Sequence, residues 1–205
     1  HDTIINDFTK LFKSIIIDQK TNKIISMAPM KSLKQDHNIL LGNDMNISRI
    51  FDGTMINVFY HNGEWVLSTR SFIGAKNYWD KNSKVSFKDM FNDCFNQYDE
   101  LNPQHSYSFV LQHKDNSNIT PIEENKVILV EEYSYEGELP VKVDLNDRTS
   151  YTYNVNKTYN NYHELTQSED LEKYDKGYNI IINGVRHVYI TDDYKYIFDL
   201  RPNQN

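Results

Sequence analysis

One cysteine, five prolines, seven glycines and only two alanines (Ala28 and Ala75) are spread over 205 residues. A single Cys forms no internal disulfide, which excludes a disulfide-stapled secreted scaffold. The scarcity of Gly and Pro, with aromatics at 13%, argues against low-complexity disorder. No apolar run approaches ~18 residues, so no membrane-spanning helix is expected. The longest runs, Ile15-Ile16-Ile17 and Val127-Ile128-Leu129-Val130, are strand-sized. The first residues lack the basic-then-apolar pattern of a signal peptide. The chain starts at His1 and not at Met, as a processed chain or a piece of a longer protein does. Cations are outnumbered, 22 Lys and Arg against 29 Asp and Glu, for a net charge of -7. That balance argues against a broad nucleic-acid-binding face and leaves room only for a local basic groove.

The length suits one domain with a core of its own. The abundant residues are 24 Asn, 20 Ile and 15 Tyr. Asn, Ile, Lys and Tyr have AT-rich codons, so the skew reads first as an AT-rich genome. No internal repeat is visible.

Hydrophobic periodicity predicts a strand-dominated chain. Ser14–Asp18 and Lys23–Met27 are β-branched runs around a polar break, the pattern of a hairpin. Thr54–His61 alternates, and Asn62-Gly63 supplies the turn residues that tolerate positive φ, so Glu64–Arg70 returns as its partner. Tyr107–His113 and Lys126–Tyr133 read as strands about the polar loop Lys114–Asn118. Tyr178–Ile182 and Val185–Ile190 form another hairpin about Asn183-Gly184. The clearest helix is Ser86–Tyr98. Phe87, Met90, Phe91, Cys94, Phe95 and Tyr98 make one apolar stripe, and Ser86 with Asp89 approximates a capping box. Cys94 lies inside that stripe, so packing is its expected role. Thr158–Tyr174 is expected to be helical, as is Asp192–Leu200 before Pro202. Gly137–Tyr153 is the best candidate linker, and no firm domain boundary is expected. The fold class is α+β with mostly antiparallel sheets and a few helices, in a single domain over 1–205.

Common chemical signatures are missing. There is no phosphate-binding loop, dinucleotide fingerprint, HExxH or CxxC. The seven His are scattered without ligand spacing, so no metal site is predicted. Asp170, Asp175, Asp192 and Asp193 read as a solvated acidic surface. The Tyr-rich stretch Tyr151–Tyr162 carries few cations, so it reads as strand and helix surface more than as a base-stacking platform.

A set of segments in fixed order is more specific. It runs through Ser14–Asp18, Lys23–Ser32, Arg49-Ile-Phe-Asp-Gly-Thr54, Glu64-Trp-Val-Leu-Ser-Thr-Arg70, Tyr107–His113 and Lys126–Val130. It continues with Lys176-Gly-Tyr-Asn-Ile-Ile181 and Arg186-His-Val-Tyr-Ile190, and closes with Tyr194 and Leu200–Asn203. Across nearly the whole chain this order resembles the adenylyltransferase domain of phage-type RNA ligases, closest to RNA ligase-like proteins of large DNA viruses. The resemblance implies an ATP-grasp-like nucleotidyltransferase fold and a viral source, with a cytoplasmic or virion-associated location. In that family a Lys two residues before an Asp-Gly pair attacks the α-phosphate of ATP and forms lysyl–AMP. A Glu and two late basic residues hold metal and phosphate.

Carried over residue by residue, the resemblance keeps the scaffold and loses the chemistry. Asp52 and Gly53 match the Asp-Gly pair, but the nucleophile position is Ile50. Arg49 is adjacent, yet strand alternation points it to the other face, and its guanidinium is a poor nucleophile. Arg70 matches the basic residue after the hairpin, and Phe109 the aromatic near adenine. The neighbouring acidic position is Val110. In the acidic-Gly motif, Gly177 is kept and the acid has become Lys176. The two late cations fall on Val188 and Ile190. Arg186, Tyr194, Leu200, Arg201 and Asn203 match as scaffold. Lys shares AT-rich codons with Ile, so codon bias does not account for losing Lys at these positions.

The favoured reading is therefore a catalytically inactive RNA ligase-like protein, a binding or structural module. It has an unknown protein partner and weak RNA contact at most, and it needs no cofactor. Its remnant cleft would be lined by Asp52, Gly53, Arg70, Phe109 and Lys176. Arg70 and Lys176 would hold an anion there, or Lys176 would pair with a carboxylate. The first alternative is an active ATP- and Mg-dependent RNA ligase with a displaced nucleophile, for which Lys31 is the substitute. The second is an unrelated strand-rich capsid-associated or binding domain.

Overall fold

The protein is described from a computed structural model over residues 15–30, 32, 45–116, 118–137, 139–146, 153–168 and 175–200. It is α+β, with mostly antiparallel sheets and three α-helices among the described residues. No helix among them is long and apolar enough to cross a membrane. The chain forms two compact units that interleave in sequence. One draws on residues 15–30, 53–116 and 122–156, the other on 45–52, 118–121 and 157–200.

The first unit begins with the antiparallel hairpin β1 (Ile15–Asp18) and β2 (Lys23–Met27). The first unit also holds β4 (Thr54–His61), β5 (Glu64–Ser68), β6 (His105–Gln112), β7 (Lys126–Ser134), β8 (Val141–Lys142) and β9 (Asn154–Val155). The order is β5-β4-β6-β7-β8, with β9 pairing β7 in parallel. The β4–β5 turn is the expected one, with Asn62 at φ 52° and Gly63 at φ 89°. Helix α1 (Phe87–Cys94) starts at Ser86, whose Oγ accepts from Asp89 N at 3.2 Å and donates to Asp89 Oδ2 at 2.7 Å.

The helix stops four residues earlier than its apolar stripe, because Phe95 turns extended at φ -139°. Phe95 and Tyr98 still pack on the core, Tyr98 from a short 3-10 turn at Tyr98–Glu100. One face of the six-stranded sheet presents Ile56, Val58, Leu67, Tyr107, Phe109, Leu111, Val127 and Leu129 to Phe87, Met90, Phe91 and Phe95. The expected linker Gly137–Tyr153 is a correction. Its described residues build β8 and place Leu145 and Tyr153 in this core.

The second unit contains β3 (Asn46–Ile50), β10 (Thr158–Tyr159), α2 (Tyr162–Gln167), β11 (Gly177–Ile182), β12 (Val185–Ile190) and α3 (Asp192–Asp199). Its four strands run in the order β10-β3-β11-β12, all antiparallel. The long helix expected over Thr158–Tyr174 is not formed. Thr158 and Tyr159 pair with Ser48 and Ile47 in the sheet, and the helix begins only after Asn161, which caps Glu164 N at 2.9 Å. Residues 169–174 lie outside the described ones. Met45, Ile47, Tyr159, Leu165, Tyr178 and Ile180 form the core of this unit.

Candidate functional site

Strand alternation separates the two faces of the four-stranded sheet. Ile47, Tyr159, Tyr178 and Ile180 turn into the core. The opposite face carries rows fixed by register. Ile50 pairs with Gly177, and Gly177 with Ile190. Ser48 pairs with Asn179, and Asn179 with Val188. Ile50, Val188 and Ile190, the positions that the resemblance matched to a nucleophile and two late cations, therefore share one face of one sheet. The next row, Asn46–Ile181–Arg186, supplies the only cation these four strands place on that face. Arg186 is held by Asn179, whose Oδ1 accepts from Nε at 3.0 Å and from Nη2 at 2.7 Å.

Arg49 does lie on the face opposite Ile50, as alternation requires. It is buried and donates Nε to Asp175 Oδ1 at 3.1 Å, with its Nη2 on the same oxygen and its guanidinium over the Phe51 ring. Asp175 is thus a correction. It is a buried ion-pair partner, not part of a solvated acidic surface. A buried guanidinium needs such a carboxylate, because desolvation without one is costly. Asp192 and Asp193 are exposed in the first turn of α3, and Asp170 lies outside the described residues.

Asp52 follows β3 and gathers the ends of three further segments. Its Oδ1 accepts from Lys176 Nζ at 3.1 Å and from Tyr194 Oη at 2.9 Å. Its Oδ2 accepts from the backbone N–H of Ile119 at 2.5 Å and of Thr120 at 3.1 Å. The Lys176 ammonium also lies 5.2 Å from the centroid of the Tyr194 ring. Thr191 ties the pieces together. It caps α3 through Tyr194 N, and its hydroxyl donates to Asp175 O at 2.6 Å. Burial pushes the Asp52 carboxyl up. The Lys176 charge and the donors Thr120, Ile119 and Tyr194 outweigh it and hold the group below its ordinary value. The result is an ionised carboxylate with both oxygens engaged, and an ammonium engaged by that carboxylate. Lys176 takes the pairing role that sequence reading had set against anion binding.

The other expected cleft residues belong to the first unit. Arg70 is exposed at the end of the β4–β5 hairpin, with Nη2 3.4 Å from Pro29 O. Phe109 is fully buried, with its ring between Phe91, Phe95 and Tyr153. Val110, one residue on, is buried on the opposite side of β6. Gly53 sits at φ 153°, where a Cβ would lie 2.4 Å from Leu111 O, so a side chain has no room. Lys31 lies outside the described residues.

Two clusters were not anticipated. Asp93, Cys94 and His113 bring ligand atoms within 4.8 Å of one another. Their hydrogen bonds account for that grouping. His113 Nδ1 accepts from Asp115 N at 3.1 Å, which leaves Nε2 protonated to donate to Asp93 Oδ2 at 3.1 Å. A metal at Nε2 requires the other tautomer, which would set Nδ1–H against the Asp115 N–H. The second cluster is His105 with Glu132, whose oxygen is 2.5 Å from Nδ1 on the α1-facing side of the sheet. Of the Tyr-rich stretch, Tyr153 and Tyr159 are buried in the two cores.

No protein-family model matches this chain, and no curated protein sequence matches it significantly.

Proposed function

We propose that this protein is a catalytically inactive RNA ligase-like module with an ATP-grasp-like nucleotidyltransferase fold, acting by binding and not by adenylyl transfer. One observation carries the reading. Ile50, Val188 and Ile190 lie on one face of a single sheet, where the resemblance calls for a nucleophilic amine and two phosphate-binding cations. At these three positions apolar side chains offer nothing to offset the desolvation of a triphosphate, and the one cation on the face, Arg186, is held by Asn179. Lys176, standing where that family has an acid, neutralises Asp52 and cannot hold a divalent ion. The partner class that follows is a protein, with RNA contact weak, in the cytoplasm or virion of a large DNA virus.

The test is incubation of the full chain with α-labelled ATP and magnesium or manganese, followed by denaturing electrophoresis. The expected result is no labelled band. A covalent AMP adduct stable to denaturation and acid-labile, as a phosphoramidate is, would refute the reading. Lys31→Ala then reports whether the displaced nucleophile is Lys31.

A further inference from the structure

The segment joining β5 to α1 is unlike the rest of this acidic chain. Its residues 69–86 carry four cations, Arg70, Lys76, Lys81 and Lys84, and one acid, Asp80; Lys88 and Asp89 follow in the first turn of α1. It also exposes four large apolar side chains: Phe72 at 48%, Ile73 at 62%, Tyr78 at 51% and Trp79 at 44%. Phe72, Tyr78 and Trp79 make no ring contact among the described residues, and Lys76, Lys81, Lys84 and Lys88 make no ion pair there.

These side chains stand on a backbone fixed at both ends. Thr69 N donates to Phe72 O at 3.0 Å, Ile73 bridges to Ser68, and Gly74 N donates to Leu67 O at 2.6 Å. Beyond them Ala75 is fully buried, Lys88 N donates to Ala75 O at 2.8 Å, and Phe87 N to Asn77 O at 3.1 Å. The single acid of this segment is exposed and is engaged in a local turn. Asp80 Oδ1 accepts from Asn82 N and Ser83 N, both at 2.8 Å, to close a turn. The exposed pairs 72–73 and 78–79 are five residues apart at their nearest, so their Cα atoms are within about 18 Å of one another.

We propose that this loop is a peripheral membrane-binding surface for anionic lipid. All its chemistry is used at such an interface. Ile73 and Phe72 enter the acyl boundary, Trp79 and Tyr78 sit at headgroup level with their polar tips wet, and the lysines meet lipid phosphates and carboxylates. A single-stranded nucleic acid would use the rings and the cations. It would gain no stacking from Ile73, the most exposed apolar side chain of the four. The overall charge of -7 does not forbid the contact, because acids farther than about 8 Å from the loop are screened at physiological salt. The loop belongs to the first unit and the Ile50 face to the second, and the proposal does not depend on the reading of that face.

The experiment is co-sedimentation of the full chain with phosphatidylcholine vesicles made with and without phosphatidylserine, read with tryptophan emission. Binding is expected only with phosphatidylserine, falling as salt rises, with a blue shift that disappears in Trp79→Phe while Trp65 remains. Ile73→Ser combined with Trp79→Ser, and separately Lys81→Glu with Lys84→Glu, each lower the vesicle-bound ratio at least about tenfold. Both pairs are exposed, so circular dichroism and thermal melting stay close to those of the parent. Equal binding to neutral vesicles, or binding unchanged in these variants, overturns the proposal. So does an absence of vesicle binding while a single-stranded oligoribonucleotide is bound and lost in the same variants.

Discussion

Asp52 and Lys176 stand 124 residues apart in the chain and share a 3.1 Å ion pair. The carboxylate is further held by two backbone N–H groups and the Tyr194 hydroxyl. Two consequences separate the partners. Asp52→Ala leaves two backbone donors, a hydroxyl and an ammonium without their acceptor, and is expected to cost about 2–4 kcal/mol. Lys176→Met removes one donor from a group that keeps at least three, Ile119 N, Thr120 N and Tyr194 Oη, and costs about 1 kcal/mol. Denaturant unfolding of both variants measures the difference, and equal losses would contradict the geometry.

The same carboxylate sets a pH dependence. Its folded value lies below the ordinary carboxylate value, with burial opposing and Lys176 and the hydrogen-bond donors prevailing. A depressed pKa contributes stability that is present above the unfolded value of about 3.9 and is lost as pH falls through the folded one. Unfolding free energies compared between about pH 6 and about pH 3 should therefore fall less in Asp52→Asn than in the parent. An identical slope in the two proteins would show that Asp52 does not titrate at a depressed value.

Gly177 and Gly184 make a controlled pair. Both have positive φ, 152° and 75°. A Cβ at Gly177 would stand 1.9 Å from Tyr189 O and 2.9 Å from Ile190 Cα, backbone atoms of the paired strand. At Gly184 it meets nothing within 4 Å. Gly184→Ala should cost about 1 kcal/mol from conformation alone. Gly177→Ala must also part β11 from β12, and should cost about 3 kcal/mol or more. Thermal melting ranks the two, and the reverse order would deny the close approach.

Cys94 should be a slow thiol. Burial, with the charge of Asp93, raises it to about 11. Near pH 8 about one thiol in a thousand is ionised, so disulfide-exchange labelling should run on the order of a hundredfold slower than for a free cysteine. Labelling at the free rate is expected only in denaturant. A fast native reaction would place Cys94 outside the apolar surroundings described.

Local chemistry was legible in the residues themselves. Asn62-Gly63 and Asn183-Gly184 mark hairpins because few residues accept the positive φ that both turns show. Ser86 and Asp89 mark the start of α1 because the Ser86 hydroxyl accepts from the otherwise unpaired Asp89 N–H of the first turn. The missed boundary at Asn161 had a readable signal, since Glu164 stands three residues on and accepts from Asn160 N at 2.8 Å. The strand at Thr158–Tyr159 had none, because two residues form it only against β3, more than a hundred positions earlier.

The sequence by itself determined the α+β class, the hairpins and the capped helix. Each depends on neighbours within one turn or one strand, or on side-chain identity. Tertiary structure alone decided that Ile50, Val188 and Ile190 share a face, that Arg49 buries its charge on Asp175, and that Lys176 closes on Asp52. Those outcomes follow from the register among β3, β11 and β12. Pairing over more than 120 residues sets that register, and a shift of one position would turn each side chain to the other face.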